Sequence, residues 1–118
     1  MKNTVLGSVS LFLIGCANVD GQPGEESVQV YKQTGSTQCA EDGLTITELT
    51  EQLNQAQVRI LETACGTDGR MRVTVCGASD GSIVVFEIPQ SEQARAAAAG
   101  FETMSNLPEA RLRECPAG

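Results

Sequence analysis

The stretch Asp80-Gly81-Ser82-Ile83-Val84-Val85-Phe86-Glu87-Ile88-Pro89 joins a turn signal, a β-rich run and a proline that ends the run. An Asp-Gly pair supplies the positive φ values that a tight hairpin needs. Side chains along a strand alternate between two faces. Val84, Phe86 and Ile88 are therefore expected on one face, and the residues between them on the other. We predict a strand here, entered through a two-residue turn.

A second Asp-Gly pair, at residues 68 and 69, predicts another tight hairpin. Two-residue turns at both sites fix a register that places Val73 opposite Ile88 and Val75 opposite Phe86. The apolar face of this antiparallel meander is predicted to carry Val58, Ile60, Ala64, Met71, Val73, Val75, Val84, Phe86 and Ile88. The opposite face is predicted to carry Arg59, Leu61, Thr63, Arg72, Thr74, Ile83, Val85 and Glu87.

Strand and helix signals flank the meander on both sides. Residues 28–32 alternate apolar and polar side chains, which predicts a first strand. Thr45 followed by Glu48 predicts a capping box at the start of a helix over residues 46–57. The apolar stripe of that helix recurs at helical spacing and consists of Ile46, Leu49, Leu53 and Ala56.

A second helix is predicted over residues 91–99. Gly100 follows as a left-handed cap, and Phe101 is placed to fold back on the last turn. The predicted order is thus β-α-β-β-β-α plus a tail. A sheet with two helices on its apolar face is an α+β two-layer sandwich.

The amino terminus carries an export signal. Lys2 precedes an apolar run over residues 5–14, which is too short to cross a hydrocarbon layer of about 30 Å as a permanent helix. Its size and flanks fit a cleaved secretory signal. The run ends in Leu13-Ile14-Gly15-Cys16, which resembles the lipobox of bacterial lipoprotein precursors. The resemblance implies cleavage between Gly15 and Cys16, and a Cys16 that carries diacylglycerol and an N-acyl chain such as palmitate.

This resemblance covers about residues 1–18. Together with the composition of the remaining sequence, it divides the chain into three parts. We expect a signal peptide at residues 1–15, a flexible acidic tether at 16–27 and a small disulfide-stapled domain at 28–118. Lipid chains at Cys16 would hold the protein to a membrane. Ala17 at the second mature position, by the sorting rule of enteric lipoproteins, favours the outer membrane, with the domain facing the periplasm or the surface.

Composition limits the chemistry and the partners that we expect. The chain has a net charge of −7, so nucleic-acid binding is not expected. It has no histidine, which removes the commonest general base, and no zinc or calcium ligand spacing. We therefore predict no catalysis, no cofactor and no metal site.

The cysteine count becomes even once Cys16 is assigned to lipid. Cys39, Cys65, Cys76 and Cys115 remain, which in an oxidising periplasm predicts two disulfides. The predicted register disfavours a bond between Cys65 and Cys76. We predict the pairs Cys39–Cys65 and Cys76–Cys115, the second of which would draw the tail across the outer sheet face.

Two function classes remain. The first is a lipid-anchored binding, adaptor or structural module for an unidentified envelope protein, and the second is a tethered inhibitor or immunity protein against a periplasmic enzyme. The candidate partner surface consists of Glu41, Asp42, Arg59 and Arg72. Binding that weakens steeply with salt would favour the inhibitor. Salt-insensitive binding through Leu61 and Val85 would favour the adaptor.

Overall fold

The computed structural model describes residues 26–116. Five strands and two α-helices follow in the order β1, α1, β2, β3, α2, β4, β5. Their bounds are Ser27–Gln33 (β1), Ile46–Gln55 (α1), Glu62–Thr67 (β2), Ser82–Pro89 (β3), Gln93–Ala98 (α2), Glu102–Thr103 (β4) and Arg111–Arg113 (β5). Short 3₁₀ turns cover Gln90–Glu92 and Met104–Asn106. The expected signal peptide, the lipobox-like stretch and most of the expected tether lie outside the described residues.

One antiparallel sheet holds the strands in the order β4-β1-β3-β2-β5. The central strand is β3, where Phe86 pairs with Val30 of β1 on one side and with Thr63 of β2 on the other. Apolar residues occupy both faces of β3, so both faces must be covered by other parts of the chain. This requirement explains why β3 lies in the middle.

Helix α1 covers one face of the sheet. The Thr45 hydroxyl accepts a hydrogen bond from the Glu48 amide at 3.0 Å, and the Glu48 carboxylate accepts one from the Thr45 amide at 2.9 Å. This is the predicted capping box. Leu49 and Leu53 are fully buried against the sheet. The helix face of the core contains Val30, Leu49, Leu53, Val58, Cys65, Val84, Phe86, Ile88, Ala96 and Phe101.

Helix α2 packs on the same face through Ala96. It ends as predicted, with Gly100 at a φ of +97° and the Phe101 amide bonded to the Ala96 carbonyl at 3.0 Å. The ring of Phe101 meets that of Phe86 edge to face, with centroids 5.8 Å apart. The predicted α+β arrangement, an antiparallel sheet with two helices on one face, is confirmed.

The tail covers the other face of the sheet. Leu107 is buried against Tyr31, Ile83 and Val85, with Met104 and Ala110 beside it. The tail then adds β5 to the edge of β2. It lies so close there that a Cβ on residue 66 would fall 2.1 Å from the Arg111 carbonyl oxygen, a position that only glycine allows. Val85 is therefore closed to partners, whereas Leu61, which was expected beside it, is half exposed.

The middle strand of the predicted meander, which was expected to carry Met71, Val73 and Val75, does not form. A long connection, residues 68–81, joins β2 to β3 directly. Gly69 and Gly81 have the expected positive φ values, but neither closes a two-residue hairpin. The predicted register is wrong as a result: Ala64 pairs with Val85 and lies on the outer face.

Four cysteines form two disulfides, as predicted, but the predicted pairing is wrong. The bonds are Cys39–Cys76 and Cys65–Cys115. β3 lies between β1 and β2 in the sheet, and Cys39, in the loop after β1, is bonded to Cys76 rather than to Cys65 of β2. The 68–81 connection instead reaches the loop after β1, and β5 pairs with β2. These two contacts bring Cys76 to Cys39 and Cys115 to Cys65.

Candidate functional site

The 68–81 connection exposes three large apolar side chains in a row of alternate positions. Met71 is 99% exposed, Val73 72% and Val75 52%. Single exposed apolar residues are ordinary on a protein surface, whereas neighbouring ones are a candidate interaction surface. We refer to residues 71–75 as the apolar segment.

Asp68 anchors the beginning of this connection. Its side chain is only 2% exposed. One carboxylate oxygen, Oδ1, accepts the Arg70 amide at 3.0 Å, and the other, Oδ2, accepts the Arg72 guanidinium at 2.6 Å. Gln33 of β1 also donates to Oδ2, at 2.9 Å. Asp68 thus fixes the residues on both sides of Met71.

Gln38 holds the far end of the apolar segment. Its side-chain amide donates to the Val73 carbonyl at 2.9 Å and to the Ser79 carbonyl at 3.2 Å. Its side-chain oxygen accepts the Val75 amide at 2.9 Å. The disulfide from the next residue, Cys39, to Cys76 adds a covalent link. The segment is therefore tied down at both ends.

The middle of the apolar segment leaves its backbone free. Within residues 26–116, no hydrogen bond reaches the amide or the carbonyl of Met71, Arg72 or Thr74. The segment contains no turn or bend, and none of its residues has a positive φ. It presents an extended backbone with unused donors and acceptors.

An open surface depression of about 340 Å³ adjoins the segment. Arg72 and Thr74 line it from the segment, and Asp68 and Asp80 line it from the body of the protein. Burial alone would raise the pKa of Asp80, but hydrogen bonds from the Ser82 amide and the Ser36 hydroxyl hold that pKa below its usual value. Asp80 is thus a charged anchor at the start of β3.

The predicted partner residues lie in separate places. Glu41 and Asp42 are in the exposed loop after Cys39, where the Thr37 amide and hydroxyl bond the Asp42 carboxylate and lower its pKa. Only Arg72 belongs to the apolar segment, with its charge turned back to Asp68.

Arg59 was expected on the outer sheet face, but it lies outside the strands and ties the chain before β2 to the start of α2. Its amide and its guanidinium donate to the two oxygens of Glu92, at 2.7 and 2.8 Å. These hydrogen bonds lower the pKa of Glu92. The contact is structural.

Sequence reasoning did not identify Gln38, Asp68 or the exposure of Met71. Alternation of apolar residues is the same for a half-buried strand and for an exposed extended segment. The signal that favours the exposed form is the spacing of Asp68 and Arg72, which suits an ion pair within one connection rather than residues facing each other across a hairpin.

Among residues 26–116, no helix is long and apolar enough to cross a membrane, and no group of three or more cysteine and acidic side chains could hold a metal ion. Comparison of the chain with protein-family models, with curated proteins and with solved structures gave no significant match.

Proposed function

We propose that this protein is a lipid-anchored envelope binding module, and that the apolar segment is its binding element. The observation that carries the proposal is the exposure of Met71, Val73 and Val75 on a backbone tied at both ends. Burial of one such side chain in a partner contributes about 1.5–3 kcal/mol.

The fixed backbone strengthens this proposal. The loss of conformational freedom in loops and side chains normally opposes binding. Here Asp68 and Gln38 already restrict the segment before any partner arrives. Much of the conformational entropy of the segment is therefore lost on folding, and less is left to oppose the binding of a partner.

The lipobox supplies the second half of the proposal. Cleavage before Cys16 and acylation of that residue would attach the domain to the outer membrane, facing the periplasm or the surface. The expected tether ends where β1 begins, at Ser27, so the domain would stay close to the membrane. Mass spectrometry of the mature amino terminus tests this: an unmodified terminus at any other residue would disprove it.

Site-specific cross-linking tests the binding element. A photo-reactive residue at exposed Thr74, in the full lipidated protein, should capture an envelope protein. The double variant Met71→Asp/Val73→Asp should lose the capture. Leu61→Asp is the matched control, because Leu61 is exposed but lies at the opposite end of β2. Capture should persist at high salt, since the contact is apolar.

Equal capture by the Met71→Asp/Val73→Asp variant and by the Leu61→Asp control would show that the apolar segment does not bind. Loss of capture on adding salt would move the site to charged residues such as Glu41 and Asp42. Either result would overturn the assignment of the binding element.

A further inference from the structure

One carboxylate holds both neighbours of Met71. Asp68 Oδ1 accepts the amide of Arg70, and Oδ2 accepts the side chain of Arg72. Met71 itself, between them, is 99% exposed. The peptide bond from Met71 to Arg72 is thus accessible, and the residues on its two sides are fixed to the same buried group.

The free backbone around this bond limits the kind of partner. Because both ends of the apolar segment are tied to the body, the partner must accept an internal, extended stretch of chain. A pocket that recognises a chain terminus does not fit this requirement. Addition to a partner's sheet edge needs a longer run of free groups, and Gln38 already uses the Val73 carbonyl and the Val75 amide.

A peptidase cleft fits these limits. It binds a short extended stretch through backbone hydrogen bonds and places one side chain in a primary pocket. We propose that the apolar segment is a substrate-like inhibitor of a serine endopeptidase, with Met71 in an apolar primary pocket. This inference rests on the proposed binding role of the segment and names the class of partner that the segment binds.

The Asp68 contacts explain why the segment would inhibit rather than be consumed. Hydrolysis adds one water across the Met71–Arg72 bond, leaving a carboxylate on Met71 and an amine on Arg72. Asp68 would still hold both sides, and Gln38 would still hold Val73. The new amine of Arg72 would stay beside the new carboxylate of Met71, where a high effective concentration favours re-formation of the peptide bond with release of one water.

Inhibition assays with purified enzymes test the proposal. The full mature protein in mild detergent is titrated against chymotrypsin and subtilisin, which have apolar primary pockets, and against trypsin, whose pocket is acidic. We expect stoichiometric inhibition of at least one of the first two. Met71→Gly should weaken it about a hundredfold, the effect of removing an anchor residue. Met71→Lys should transfer inhibition to trypsin, and Leu61→Lys should change nothing.

Asp68→Asn tests the positioning role of this residue. The amide keeps the shape but loses the charge that holds Arg72. We expect a protein that still binds but is cut steadily between Met71 and Arg72, as seen by mass spectrometry. An uncut Asp68→Asn variant that inhibits as well as the wild type would contradict the positioning role.

Three outcomes would overturn the inference. If both enzymes keep full activity while Thr74 cross-linking to an envelope protein persists, the inhibitor inference fails and the binding role stands. If cross-linking also no longer depends on Met71 and Val73, both the inhibitor inference and the proposed binding role fail. A dimer in sedimentation that disappears with Met71→Asp would show that the segment binds a second copy of the chain instead.

Discussion

The Asp68 carboxylate lies 2.6 Å from the Arg72 guanidinium, with the first side chain almost fully buried and the second 23% exposed. This pair lies within the 68–81 connection and links its first residue, which directly follows β2, to Arg72. The buried Asp68 carboxylate holds Arg72 against the body of the protein, while Met71 and Val73 on either side of Arg72 stay exposed.

We predict that Asp68→Ala lowers the free energy of unfolding by about 3 kcal/mol, because it leaves the Arg72 charge without its partner. Arg72→Met added to Asp68→Ala should recover part of that loss. Urea denaturation measures both. Glu41→Ala, at an exposed carboxylate, should change stability by about 0.5 kcal/mol or less. Equal losses for Asp68→Ala and Glu41→Ala would mean that the ion pair does not anchor the connection.

The two disulfides should differ in their resistance to reduction. Cys39 and Cys76 are both exposed, whereas Cys65 is buried and Cys115 is partly buried in the core. Thiol–disulfide exchange needs access to sulfur. Limited reduction followed by alkylation and peptide mapping should therefore find Cys39 and Cys76 labelled first. Earlier labelling of Cys65 would contradict the packing of the tail.

Leu107 should be a major stabilising residue of the outer sheet face. Leu107→Ala would leave a cavity over Val85 and is expected to cost about 2–3 kcal/mol. Leu112→Ala, at a more exposed leucine of β5, is the control and should cost about 1 kcal/mol or less. Thermal unfolding of both variants checks this. A silent Leu107→Ala would indicate that the tail does not seal this face.

Glu92 should make part of the stability dependent on pH. Its hydrogen bonds from the Arg59 amide and guanidinium hold the pKa below the usual glutamate range in the folded protein. The unfolded chain therefore takes up the proton at higher pH, so the contribution is present near neutrality and is lost as the pH falls through the folded-state pKa.

Glu92→Gln removes this contribution. The difference in urea midpoint between wild type and Glu92→Gln should be largest near neutral pH and shrink in acid. Gln90→Ala, at a neighbouring exposed residue, should show a difference that does not vary with pH. A constant difference for Glu92→Gln would show that the Arg59 contact does not depend on the ionised carboxylate.

Local signals in the sequence were enough for α1, for the end of α2 and for β3. Thr45 and Glu48 define a helix start through contacts only three residues apart, and Gly100 ends a helix through its own backbone freedom. The alternation in β3 is likewise a property of consecutive residues. Such features depend on residues that lie only a few positions apart in the sequence.

The exposure of the apolar segment and the disulfide pairs were decided by tertiary structure. The alternation of Met71, Val73 and Val75 fits a buried strand as well as an exposed segment, and only the buried Asp68 and the Gln38 contacts select the second. Disulfide pairing depends on which segments of the chain meet in space. Here β3 lies between β1, which precedes Cys39, and β2, which contains Cys65. Residues distant in sequence set both outcomes, so no local pattern contains them.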